Sequence, residues 1–350
     1  MNNPLLKDFQ TPYGSAPFAS IKNDHFLPAF ETAIKEAKEE IDQIVTNPEP
    51  ATFENTLEVL EFSGNRLNRI SSIFFNLNAA ETSDEIQKIA QEVSPKLSEF
   101  ANDISLNKEL FQKIKIVYSK RKDLELNPEQ LMLLEKNYKA FVRNGSNLNE
   151  TDKDTLRNID KKKSKLGLKF GENVLAETNQ FELHIKEEKD LSGLPDGVIE
   201  AARMVAEEKN KEGWIFTLDY PSYIPFMTYA NNRALREKLS KAFGARGIQK
   251  NKYNNEQIVI DIANLRHQRA QLLGYDSHAH YVLEERMAED PEKVQAFLEK
   301  LLINAKPAAE KEFQSLKDLA KKDGIETIEK WDGAYYAEKL KKILFDLDDE

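Results

Sequence analysis

Cysteine is absent from the 350 residues, histidine occurs five times and tryptophan twice. The missing thiols exclude disulfides, thiolate nucleophiles and every zinc or iron–sulfur site built on cysteine. They do not fix the compartment, because a periplasmic chain can also lack cysteine. No stretch approaches the run of about 18 apolar residues that a membrane-crossing helix needs, so no membrane partner is expected. The opening MNNPLLKDFQ has no basic segment followed by an apolar one, which points to the cytoplasm; the periplasm stays open if a leader was removed. A net charge of −10 argues against a nucleic-acid partner. The best local counter-signal is KKKSK at 161–165, and its acidic neighbours make a solvated helix face the better reading.

Also missing are a fixed-period repeat and any Gly/Ser-rich or Pro-rich linker. What is present is a folded, charged chain with 31% Asp, Glu, Lys and Arg and periodic apolar stripes. The fold class expected is mainly α. Thr52 precedes a stripe of Phe53, Leu57, Leu60, Leu67 and Phe74 at helical spacing. Thr82 with Glu85 reads as a capping box ahead of Ile86, Ile89, Val93 and Leu97. Asn127-Pro128 opens a helix with Leu131, Leu134, Tyr138 and Phe141 on one face. Thr151 with Asp154 begins a long polar helix toward Thr178, breakable at Gly167 and Gly171.

A change of period follows. QFELHI (180–185) and WIFTLD (214–219) read as short strands of a hairpin or small sheet, flanking a turn at LSGLPDG and a helix over 198–210. Further helices are expected at 224–243, 254–273, 278–287, 291–320 and 331–344, with Asp290-Pro291 as a clean start. The organisation expected is a helical region over 1–178, then a mixed strand–helix and helical region over 179–350 continuous with it. ILFDLDDE at the end looks like the beginning of a connection.

The stretch LRHQRAQLLGYDSHAHYVLEERM (265–287) holds three of the five histidines. His267 falls roughly 140° around the helix from the apolar stripe through Ile262, and should face solvent or a polar cleft. Gly274 suits the left-handed position past a helix end, and Asp276 or Ser277 can cap the next helix. His278 and His280 are then two residues apart and point about 200° away from each other, so they cannot chelate one ion together. Each histidine has the wrong neighbours for HExxH: FLPA follows His25, IKEE His184, QRAQ His267, AHYV His278 and YVLE His280. No metal ligand is therefore nominated. FGARG (243–247) lacks the setting of a phosphate loop and reads as a helix end with a tight turn. There is no GxSxG elbow. Asp219, Glu284 and Glu285 are too ordinary among 60 carboxylates to name a general acid, and PSYIPFMTY (221–229) reads as core before groove. No catalytic residue is nominated either.

Matches to one family run from end to end. They include NPLL and PFASIKNDHFLPAFETAI, then ATFENTLEVLEFSGNRLNRISSIFFNL and SPKLSEFANDISLNKELF. LSGLPDGV, GWIFTLDYPSYIPFMTYANNRALREKL, FGARG, IANLRHQRAQLLGYDSHAHYVLEERMA and WDGAYYAEKL complete the series. The chain resembles the N-terminal half of zinc metallopeptidases of the thimet-oligopeptidase family (M3), in its bacterial peptidyl-dipeptidase (Dcp) branch. That resemblance implies a helical, two-domain protein around a channel that admits short unstructured peptides, and release of dipeptides from their C-termini. It implies zinc held by HExxH and a further glutamate, with tyrosine and histidine side chains steadying the oxyanion. None of those motifs occurs here, so no ligand or base is carried over. The expectation is a fragment forming one wall of the channel, inactive and zinc-free alone, whose partner is the catalytic half of the same polypeptide. A stand-alone helical peptide-binding or interaction module is the alternative.

Overall fold

The computed structural model describes residues 3–347. After four short 3-10 turns come α1 (Phe26–Thr46), α2 (Val59–Phe62), α3 (Asn65–Ala80), α4 (Asp84–Ser105), α5 (Lys108–Ser119), α6 (Pro128–Arg143) and α7 (Glu150–Gln180). Next are β1 (Leu183–Ile185), α8 (Asp196–Glu208), β2 (Trp214–Phe216), α9 (Tyr220–Tyr229), α10 (Arg233–Gly244) and α11 (Glu256–Leu272). The series closes with α12 (His278–Leu283), α13 (Pro291–Lys322) and α14 (Gly333–Phe345). The fold is mainly α. Its one sheet among the described residues is two-stranded and antiparallel, pairing Leu183 with Phe216, His184 with Ile215 and Ile185 with Trp214.

The chain divides into two units, Met1–Lys169 with Asp261–Tyr281, and Phe170–Ile260 with Val282–Glu350. In the first unit α1 is the spine. Its apolar positions recur every three or four residues, and they serve two clusters. Phe26, Phe30 and Ala33 meet Ile70 and Phe74 of α3 and Ala90 and Val93 of α4. Ile41 and Ile44, two turns on, meet Leu110 and Ile114 of α5 and Leu134 and Phe141 of α6. Phe74 sits edge-on to Phe26 and Phe30, with ring centroids 4.9 and 5.4 Å away. In the second unit the core gathers Leu183, Ile185, Phe216 and Leu218 of the sheet region with Phe226 of α9 and Leu239 of α10. A smaller cluster joins Leu319 and Ala320 of α13 to Tyr336 of α14.

Several expected boundaries hold. Asn127 and Gln130 exchange side-chain-to-backbone bonds of 2.9 and 3.0 Å as a capping box, and Asp290 accepts from the Lys293 amide at 2.7 Å. Others are corrected. The stripe from Phe53 to Phe74 is not one helix: a π-helical turn at Phe53–Glu58 leads into α2, and Gly64 at φ +68° breaks the run before α3. Thr52 does cap, accepting from the Asn55 amide at 3.2 Å. The cap of α4 is Ser83, accepting from the Ile86 amide at 3.2 Å, rather than Thr82. Likewise Asn149, not Thr151, accepts from the Asp152 amide at 2.9 Å, and α7 then runs unbroken through Gly167 and Gly171. In each case a better acceptor lay one or two residues upstream or downstream. The helix expected over 224–243 is two, α9 and α10, because Asn232 starts a new helix by accepting from the Leu235 amide. The helix expected over 278–287 stops at Leu283.

Candidate functional site

Each histidine has a local setting. His25 Nδ1 accepts from the Lys22 amide at 3.1 Å, and His184 Nε2 donates to the Glu212 carbonyl at 2.7 Å. His267 is exposed on α11, as its helical phase requires. Gly274 has φ +84°, and Ser277 rather than Asp276 starts α12, its Oγ accepting from the His280 amide at 3.3 Å and lying 2.8 Å from His280 Nδ1. His278 is half-buried and lies parallel to Tyr281, with ring centroids 6.4 Å apart. Burial, then the positive charges of Arg266, Lys163 and Arg269, push its pKa below the ordinary 6.5. Among the described residues no three histidine, aspartate or glutamate side chains gather as a metal ion needs.

KKKSK splits between two environments. Lys161, Lys162 and Lys165 are exposed, while Lys163 turns inward beside Asp160 at 3.4 Å. Burial lowers its pKa against the pull of Asp160. Asp160 also receives Arg269 Nε of α11 at 2.9 Å, and Arg269 Nη2 reaches Asn144 Oδ1 at 3.1 Å. Tyr281 donates to the same Asn144 oxygen at 2.9 Å, and the guanidinium groups of Arg143 and Arg269 lie 4.8 and 4.9 Å from its ring centroid. The histidine-rich stretch therefore supplies one side of an arginine–tyrosine node within the first unit.

FGARG is a tight turn after α10. Gly247 has φ +76°, its amide donates to Glu177, and its carbonyl accepts from the Asn255 amide at 2.6 Å. Asn173 Nδ2 in turn donates to Asn255 Oδ1 at 2.8 Å. In PSYIPFMTY, Phe226 and Met227 are core, with Phe226 edge-on to Phe216 at 4.6 Å, while Ile224 is exposed. Asp219 accepts from Thr217 Oγ1 at 2.9 Å in the turn leading to α9.

The densest charge cluster lies in the second unit and was not singled out by sequence. Asp332 is fully buried and accepts from Arg233 Nη2 at 2.7 Å, Arg236 Nη2 at 3.0 Å and the Glu329 amide at 3.0 Å. Arg236, only 1% exposed, also donates to the Trp331 carbonyl at 3.0 Å and the Ala230 carbonyl at 2.6 Å, and lies over the Tyr335 ring at 4.0 Å. Burial works against the charge on Asp332, but the hydrogen bonds from Arg233, Glu329 and Arg236 win and hold its pKa below 3.8. A signal existed: Arg236, Leu239 and Ser240 form the buried face of α10, and an arginine at a core position demands a buried counter-ion. Beside this cluster a cavity of about 280 Å³ is lined by Asn231, Tyr229, Tyr335 and Lys339. A larger one of about 750 Å³ in the first unit is lined by Glu36, Glu40, Phe62, Arg66 and Arg69. Charges in its lining take part in structural bonds: Arg66 Nη1 donates to both carboxylate oxygens of Glu36 at 2.6 and 2.7 Å, and Glu40 accepts from the Gly64 amide at 2.6 Å.

These clusters brace helices against one another, and what they brace is recognisable by comparison. The profile of peptidase family M3 matches residues 226–350. Oligopeptidase A of Salmonella typhimurium is 34% identical over 355 aligned positions, covering all of this chain. The chain is similar to peptidase family M3 from end to end. Dipeptidyl carboxypeptidase of Escherichia coli is 33% identical over 99% of this chain, and the thimet-like oligopeptidase of Dictyostelium discoideum 28% over 90%. The chain spans about half the length of the curated relatives it matches, 52%, 51% and 46% of these three. The stretch matched by the family profile holds the Arg236–Asp332 cluster, α13 and α14.

Proposed function

We propose that this chain is the N-terminal, non-catalytic portion of a zinc-dependent peptidase that hydrolyses short unstructured peptides in the cytoplasm, releasing dipeptides from their C-termini. The single observation that supports this is coverage: relatives named oligopeptidase A and dipeptidyl carboxypeptidase match the whole of this chain with only half of their own length. In this reading residues 1–178 and 179–350 form one continuous helical scaffold that walls a peptide channel, and its partner is the catalytic half of the same polypeptide.

Zinc does not fit the residues present. Among the described residues no metal-sized group of histidine and carboxylate side chains exists; in this reading the ligands and the water-activating base are supplied by the other half of the polypeptide. No step of hydrolysis is assigned to any residue of 1–350. In this reading the chain's contribution is to position and limit the peptide.

The test compares purified 1–350 with the polypeptide extended to the length of its relatives. Dipeptide release from a short peptide is followed by mass spectrometry, with zinc present and after chelation. Zinc-dependent release is expected only from the extended polypeptide. Release by 1–350 alone would sink the proposal, and peptide binding without hydrolysis by the extended form would favour the interaction module.

A further inference from the structure

Every residue from Gln295 to Ser315 of α13 is exposed, about six turns of helix with no buried side chain. A helix in that position should be polar all round, and this one is not. Phe297, Leu298, Leu301 and Leu302 are 62%, 52%, 50% and 61% exposed, and Phe313 follows at 42%. At 100° per residue these positions, with Ala305, Ala308 and Ala309, form one stripe interrupted only by Glu312. The stripe does not end there. It runs on into Leu316, Leu319 and Ala320, the very residues that pack against Tyr336 and Leu340 of α14. One apolar face is therefore buried at its C-terminal end and bare for the rest of its length.

Two further features say what sort of body covers it. Pro307 lies roughly 160° around from the stripe, where its missing N–H weakens the outer side of the helix and favours a bow around whatever the inner side covers. α14, which supplies the covered end, itself finishes in Ile343 and Leu344, 64% and 61% exposed. The bare surface is thus continuous with an interface already formed between successive helices of one polypeptide. The relatives carry about as much chain again as is present here.

We infer that the 294–313 face of α13 is an internal docking surface, covered by an apolar face of the remaining half of the polypeptide. This rests on the proposed function only in taking that half as the occupant. Hydrogen exchange of α13 is measured in 1–350 and in the polypeptide extended to its relatives' length. Slowing of at least about 100-fold is expected over 295–313 in the extended form, while in 1–350 exchange is fast. Leu301→Asp with Leu302→Asp should leave the unfolding and sedimentation of 1–350 unchanged, since both side chains are already exposed, and should abolish the slowing in the extended form. Equal exchange in both forms overturns the inference. So does slow exchange in 1–350 alone, or a dimer of 1–350 that protects α13, which would make a second copy the occupant. An extended polypeptide with protected α13 but no zinc-dependent hydrolysis supports the interface and overturns the proposed function instead.

Discussion

Removing the carboxylate of Asp332 should be among the most damaging single changes in the second unit. The group is fully buried and takes charge-assisted bonds from two arginines. Arg236 has no route to water: its side chain is 2% exposed, against 37% for Arg233. In Asp332→Ala the Arg236 guanidinium keeps its three carbonyl acceptors, Trp331, Ala230 and Asn231, but loses its counter-charge, and an uncompensated buried charge of this kind costs about 3–5 kcal/mol. Arg233→Gln should cost no more than about 1 kcal/mol, because its charge can be hydrated. Replacing both partners, Arg236→Met with Asp332→Leu, should recover most of the loss, since the pair's attraction only offsets its desolvation. Urea unfolding followed by tryptophan fluorescence is the natural assay. The chain's two tryptophans, Trp214 and Trp331, both lie in the second unit, so the signal isolates its transition. The Asp332→Ala midpoint should also drop by roughly 10 °C in a thermal scan. The pKa of Asp332 in the fold lies below its unfolded value near 3.8, so its contribution is present above that pH and is lost as pH falls through the lower folded value. The gap between wild type and Asp332→Asn should therefore narrow only below about pH 4. If Asp332→Ala unfolds within about 1 kcal/mol of wild type, or if Arg233→Gln costs as much, the reasoning fails.

Three more predictions follow from local geometry. The Glu182 carboxylate, bonded by Lys209 and Lys211, has its pKa lowered to about 2, and Lys209→Ala should move its NMR titration midpoint back toward 4.5. His278 should titrate below 6.5; because the fold favours its neutral form, its contribution is full above that pH and fades as pH falls, and a His278→Gln variant should lose this dependence in stability measured from pH 7.5 to 5. Gly213 has φ +92° and its added Cβ would strike the Ile185 carbonyl, so Gly213→Ala should destabilise the second unit by more than about 1 kcal/mol in the same fluorescence assay; an unchanged midpoint would count against the strained turn.

Much of the fold was legible because much of it is local. Asn127, Asp290 and Gly274 act through bonds or backbone angles within a few residues, so their chemistry can be read without knowing the rest of the molecule. The same locality explains the small errors. Ser83 beside Thr82, and Asn149 near Thr151, are rival acceptors whose contest is decided by which direction the incoming chain takes. The stripe through Phe53 and Phe74 kept its helical phase across a real break, because periodicity does not register a residue with positive φ at Gly64. The histidines at 267, 278 and 280 have separate settings: His267 is exposed, His278 lies beside Tyr281 and His280 meets Ser277. Their neighbourhood, however, is an arginine–tyrosine node in which Arg269 reaches Asp160 and Asn144, each more than a hundred residues away in sequence.

By itself, then, the sequence determined the mainly α class, most helix starts, the small antiparallel sheet and similarity to peptidase family M3. These depend on periodicity, caps and aligned residue identity, which are properties of short segments or of the string as a whole. Tertiary structure alone decided that Arg236 and Asp332, 96 positions apart, share one buried pair. It also decided that the stripe of α13 is covered at Leu319 and Ala320 and bare at Leu301 and Leu302. The physical reason is the same in both cases. An amphipathic pattern states which face of a helix must leave water, but only the packed chain shows where a partner has arrived and where none has.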